Sequence, residues 1–178
     1  MKKSLFVLVV IAVFAFVSCA TATPAANSAD AWWNNPPADT AEVHYEVGVA
    51  QGSILQTTRE WAKANANSAL AQYVQNSVKY VVMTYQSDAG EVASDSKNMQ
   101  AMQAFESVSL QKAEAVLTGV TYQYQVMDDG TVYCLAKLPI GPVAEQFKED
   151  LKEAFVKNQA SEEALNMAYK AVDKFLAQ

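Results

Sequence analysis

The sequence predicts an α+β protein, with helices packed on one face of a small, mainly antiparallel sheet in the order β-α-β-α-β-β and two C-terminal amphipathic helices after it. Three observations predict this class. Strict apolar and polar alternation in EVHYEVGVA opens the folded part, long runs with apolar residues at helical spacing follow, and TGVTYQYQVMDDGTVYCLAKLP reads as two strands around a tight turn. Alternation with period two marks a half-buried strand, and recurrence every three to four residues marks a helix with one buried face. At 178 residues the chain has room for one domain, since domains most often run to about 100 to 150 residues.

The chain begins with a segment of a different character. Residues 1–18 join a basic start at Lys2 and Lys3 to an uninterrupted apolar run from Leu5 to Val17, the layout of a secretion signal. That run is shorter than the roughly 20 apolar residues a membrane-spanning helix needs. Phe16-Val17-Ser18-Cys19 resembles the bacterial lipobox, with Phe16 in the place of the usual Leu. The resemblance implies cleavage after Ser18, a diacylglycerol thioether on Cys19 and an acylated new amino terminus. Several acyl chains, at about 0.8 kcal/mol per buried methylene, hold a protein on a bilayer where one chain would only linger. The alternative is an ordinary secretory signal cut after Ala20 or Ala22, which leaves Cys19 in the discarded piece.

Residues 19–40 read as a tether. ATATPAANSAD, residues 20–30, has no aliphatic side chain larger than alanine, too little to bury for folding. Trp32 and Trp33 then stand beside Asn34-Asn35-Pro36-Pro37. Two indoles side by side make a platform for the sugar rings of a cell-wall glycan or an interfacial anchor. The alternative is that one plugs the edge of the following domain, which the large buried area of aromatic residues favours.

The α+β domain is expected over residues 41–139. In its first strand Val43, Tyr45, Val47 and Val49 point one way and Glu42, His44, Glu46 and Gly48 the other. This puts His44, the one histidine, on a polar, solvated face between two carboxylates. A helix is predicted from about Ile54 to Ser77, with Ala62, Ala66, Ala69, Leu70, Tyr73 and Val74 on its inner face. Tyr80 to Tyr85, YVVMTY, is β-branched and aromatic enough for a second strand. Asp88, Glu91 and Asp95 crowd the next loop, at a spacing that fails the helix-loop-helix calcium pattern. Capping of a helix by Ser94 or Asp95 accounts for them. That helix runs to about Val116, with Met99, Met102, Phe105, Ser109, Ala113 and Val116 inward. The hairpin alternates Val120, Tyr122, Tyr124 and Val126 with Thr121, Gln123 and Gln125, turns at Asp129-Gly130 and returns over Thr131 to Leu138.

Residues 140–178 carry two charged amphipathic helices, expected as a helical hairpin. Val143, Phe147, Leu151, Ala154 and Phe155 line the first; Leu165, Ala168, Tyr169, Val172, Phe175 and Leu176 line the second, with Ser161 as its cap. Their stripes can close the open side of the sheet, pair with each other, or join a neighbouring copy.

Charge excludes whole classes of partner. The net charge is −6; removing Lys2 and Lys3 from the 13 basic residues leaves 11 against 19 acidic ones, a charge of −8. Arg59 is the only arginine, so phosphate-backbone binding and attraction to anionic lipid headgroups both lack their electrostatic basis. Cys134 has hydrophobic or aromatic neighbours in Tyr133 and Leu135 that do nothing to stabilise a thiolate, and it reads as a reduced, buried strand thiol. There is no G-x-S-x-G elbow, no metal-ligand spacing and no phosphate-cradling glycine loop. The chain reads as neither an enzyme nor a metal or cofactor carrier.

Lipobox, short tether, a Trp followed by Asn-Pro-Pro, a strand ending Val47-Gly48-Val49-Ala50, an alanine-rich helix and a hairpin around Asp129-Gly130-Thr131-Val132-Tyr133 occur here in one order. This order resembles the Lpp-twenty type of small bacterial lipoprotein, a family related to FlgP and to the amino-terminal region of FlgT. The likeness covers roughly residues 32–139; Trp33 stands where an aliphatic residue is usual, and the C-terminal helices lie outside it. The resemblance implies a non-catalytic envelope lipoprotein that assembles or supports surface structures, with envelope proteins or further copies of itself as partners. Ala20 after the lipidated cysteine is compatible with sorting to the outer membrane, on its periplasmic or surface side. The competing expectation is a periplasmic or surface binding module for a cell-wall glycan or small envelope ligand, using Trp32 and Trp33.

Overall fold

The computed structural model describes residues 31–177, so Ser18 and Cys19 lie outside the described residues. Strand β1 (Val43–Gln51) leads into helices α1 (Leu55–Asp88), α2 (Gly90–Ser94) and α3 (Ser96–Gln111). Strands β2 (Thr121–Val126) and β3 (Thr131–Pro139) follow, and α4 (Ile140–Lys157) and α5 (Glu162–Leu176) end the chain. The protein is α+β. Among the described residues three strands form one antiparallel sheet in the order β1-β3-β2, with Val47 opposite Leu135 and Gln123 opposite Leu135 from the other side.

The expected order β-α-β-α-β-β is corrected at two places: Tyr80 to Tyr85 is helix, the last third of α1, and the loop expected around Glu91 contains the short helix α2. The local preference of YVVMTY for strand loses to the helical period that surrounds it. Val74, Val78, Val81, Val82 and Tyr85 are all buried, while Tyr80 and Met83 between them are exposed, a spacing only a helix produces. No glycine or proline interrupts residues 53–88, so nothing stops the helix before Ala89 and Gly90, whose φ is +50°. At 34 residues and 1.5 Å per residue, α1 is about 50 Å long.

This length lets α1 serve two layers. Its first half, with Ala62, Ala66 and Leu70 buried, lies on β1 and β3; its second half packs among α3, α4 and α5. The small side chains allow close approach. A Cβ added to Gly48 would stand 2.0 Å from the Ala62 carbonyl oxygen and 2.4 Å from the Ala66 nitrogen. Gly48 therefore faces α1, and so do His44, Glu46 and Ala50, which share its side of the strand.

The expected orientation of β1 is thereby reversed. The face with Val43, Tyr45, Val47 and Val49 turns away from α1, and His44, expected in solvent, is only 7% exposed. The physical reason is contact distance: a helix backbone settles on the glycine and alanine side of the strand, where branched side chains would hold it off. On β3 the inward positions are Val132, Cys134, Ala136 and Leu138, all buried.

The hairpin matches its expected alternation, with Gly130 at φ +83° and the Asp129 carboxylate accepting from the Thr131 amide at 2.9 Å. Asp95 caps α3, accepting from the amides of Lys97 (2.9 Å) and Asn98 (3.3 Å). Met99, expected inward, is exposed, and Asn98 and Ala101 take the buried positions beside Met102 and Phe105. Of the three outcomes open to the C-terminal helices, they pack against each other and onto α1 and α3. Phe147, Leu151, Phe155 and Val172 belong to one continuous hydrophobic cluster with Val78, Phe105 and Val132. Ser161 caps α5 by accepting from the Ala164 amide.

Candidate functional site

The features that bear on function fall at three places. The first is the chain segment leading into β1. Trp32 and Trp33 are half-buried, their rings packed edge to face at 5.8 Å and 85°. Their planes therefore stand at right angles and do not form one flat stacking surface.

Further along this segment Asp39 meets His44. The His44 ring has one nitrogen, Nδ1, 2.7 Å from the Asp39 carboxylate and the other, Nε2, 3.1 Å from the Glu46 carboxylate. Its face stacks on Tyr73 of α1 at 3.5 Å. The carboxylates are thus Asp39 and Glu46; α1 covers the imidazole, while the Asp39 side chain stays 54% exposed. Because they sit on opposite ring nitrogens, they do not converge on a point where an ion could bind. Among the described residues no group of three His, Cys, Asp or Glu side chains is placed to hold a metal. Burial, and secondarily the Asp39 charge, push the Tyr73 hydroxyl up.

Asp39, Thr40, Tyr73, Ser77, Tyr80 and Phe175 line a cleft of about 470 Å³ beside this cluster. Its polar groups are largely committed within the protein. Asp39 also accepts from the Tyr45 amide at 2.9 Å, and the Ser77 hydroxyl donates to the Tyr73 carbonyl at 2.9 Å.

The second place is the thiol. Among the described residues Cys134 has no disulfide partner, and it is fully buried on β3; burial pushes its pKa up, partly offset by the neighbouring Tyr124 hydroxyl. A neutral, enclosed thiol is a poor nucleophile. Tyr124 itself is pushed up to about 12, by burial first and then by Cys134. Two of the acids expected in one loop are also taken up structurally: Asp95 by the cap, and Asp88, at the end of α1, by an ion pair with Lys174.

The third place escaped the sequence reading. Where β1 ends and α1 begins, Val49 (43% exposed), Ile54 (66%), Leu55 (46%) and Trp61 (56%) stand out into solvent. They are held by short-range structure. The Asn65 amide donates to the Val49 carbonyl at 2.8 Å, Thr58 donates to the Ile54 carbonyl at 2.9 Å, and the Trp61 ring flanks Gly52. The signal was present in the sequence: Trp61 precedes Ala62 in the buried series Thr58, Ala62, Ala66, Leu70, and so sits about 100° around the helix from the packed face.

Among the described residues no helix is long and apolar enough to cross a membrane. Comparison with protein-family models, with curated proteins and with solved structures returned no match.

Proposed function

We propose that this chain is a lipid-anchored bacterial cell-envelope lipoprotein with a structural or assembly role, docking other envelope proteins through its folded domain and performing no catalysis. The observation that carries the docking role is the exposure of large apolar side chains at the start of α1, Ile54, Leu55 and Trp61. A solvent-exposed tryptophan is of the residue type most enriched at binding hot spots. The apolar leader and the Phe16-Val17-Ser18-Cys19 stretch support the anchor, and the resemblance to the Lpp-twenty lipoproteins supports the same role at the outer membrane. The acidic balance supports a protein partner over nucleic acid.

Two measurements test this. Intact-mass analysis of detergent-extracted protein, beside a Cys19→Ser variant, is expected to show a chain starting at an acylated Cys19 only in the parent. An unmodified parent starting beyond Cys19 refutes the anchor. A photo-crosslinking residue at position 61 is expected to capture a discrete envelope protein in intact cells, where one at the more exposed Met83 on the same helix does not; equal capture at both sites refutes docking through this end. The glycan-binding reading instead requires that replacing Trp32 and Trp33 together abolish binding while the fold persists.

A further inference from the structure

The two edges of the sheet are finished in different ways. At β1, the Ile140 amide donates to the Glu42 carbonyl at 2.9 Å, which fixes the ladder so that even-numbered residues of β1 bond to β3 and odd-numbered ones point outward. The chain itself meets four of those outward groups, while among the described residues nothing hydrogen-bonds to the outward amide and carbonyl of Val47. Val43 exchanges bonds with Thr40, the Tyr45 amide donates to Asp39, and the Val49 carbonyl accepts from Asn65.

At β2 the Met127 amide donates to the Thr131 carbonyl at 2.8 Å, so odd-numbered residues bond to β3 and the amides and carbonyls of Tyr122 and Tyr124 point outward. Among the described residues nothing hydrogen-bonds to these groups. Sheet edges are normally blunted by charge, proline or a bulge. TYQYQV has no charged residue and no proline, and its register with β3 is unbroken.

We propose that β2 pairs antiparallel with β2 of a second copy about a twofold axis at Gln123, joining two three-stranded sheets into one of six strands. The strand is complementary to itself in this register. Tyr122 lies opposite Tyr124 of the second copy with their outward backbone groups bonded both ways, Gln123 lies opposite Gln123, and α1 of both copies stays on the same side of the sheet. Every strand pair along the seam is neutral, with Arg59 and Lys63 of α1 lying over the Tyr124 (5.8 Å) and Tyr122 (4.8 Å) rings, in a chain whose net charge is −6. The inference rests on the docking role proposed above and makes the chain its own partner.

The test uses the full-length chain in detergent, with mass followed by sedimentation. Gln123→Lys and Gln123→Glu each place like charges face to face across the axis. The parent is expected to dimerise as concentration rises, each variant to dimerise at least tenfold more weakly, and an equal mixture of the two to recover the dimer. Far-UV circular dichroism checks that both variants fold. Gln123→Cys is expected to form a disulfide-linked dimer, since facing residues in a non-hydrogen-bonded pair lie within disulfide reach; Gln125→Cys, opposite Thr121, is not. A parent that stays monomeric, or a dimer indifferent to the charge at position 123, overturns the edge pairing. Either result leaves the docking role standing, because crosslinking from position 61 reads that role separately.

Discussion

Gly48→Ala should loosen the whole α+β layer. The added methyl would lie 2.0 Å from the Ala62 carbonyl oxygen, 2.4 Å from the Ala66 nitrogen and 2.9 Å from the Ala66 Cβ. Non-bonded contacts of these types need more than about 3 Å, so α1 and β1 must separate by on the order of 1 Å. Two of the three obstructing atoms are backbone, and no side-chain rotation relieves them. Overpacking of a core costs about 1–3 kcal/mol, and a gap of 0.5–1 Å forfeits roughly a quarter to a half of each dispersion contact it opens. A loss of about 3 kcal/mol is expected, at the upper end because an entire helix is displaced. For a chain of this size that corresponds to a fall in Tm of about 6–12 °C. Equilibrium urea unfolding followed by circular dichroism measures it, with Gly141→Ala as the control, where an added Cβ meets nothing within 4 Å. The control is expected to be unchanged or stabilised by about 0.5 kcal/mol. A Gly48→Ala midpoint equal to the parent's would show that α1 does not rest on β1 at this position.

Two further outcomes follow from buried groups. The Tyr85 hydroxyl is buried without a hydrogen-bond partner among the described residues, so Tyr85→Phe is expected to raise stability by about 1 kcal/mol while keeping the edge contact with Phe155; a loss of that size in urea unfolding would mean the hydroxyl is bonded. Tyr124 holds its proton up to about 12 in the folded state, against 10.0 for an unperturbed tyrosine. Its contribution is therefore intact below pH 10 and lost as pH rises through about 12. Stability should fall across that window in the parent and less steeply in Tyr124→Phe, and identical slopes would refute the assignment.

Much of the fold was legible because some signals are local. The Asp129-Gly130 turn needs a left-handed residue at Gly130, and the alternation on either side of it names the inward tyrosines of β2 whatever packs there. The stripes of α4 and α5 and the caps at Asp95 and Ser161 are equally self-contained. The anchor proposed at Cys19 is also a reading of sequence alone, resting on a short motif in residues 1–19.

Other features depend on what arrives from a distance. Tyr80 to Tyr85 has strand-forming side chains, and it is helical because α3, α4 and α5 bury Val81, Val82 and Tyr85 at helical spacing. Periodicity showed that β1 has two faces, but hydrophobicity chose the wrong one. The winning face is set by how closely α1 can approach, and Gly48 with Ala62 and Ala66 allows the closer contact. His44 follows from that choice, being drawn between Asp39, Glu46 and Tyr73 once its face is covered. Trp61 is exposed for the same reason, since a helix seated on its alanine stripe carries its flank into solvent. Sequence by itself determined which segments alternate, turn and cap, because those depend on bonds a few residues apart; only tertiary structure decided which faces meet, because that depends on the distance between backbones far apart in the chain.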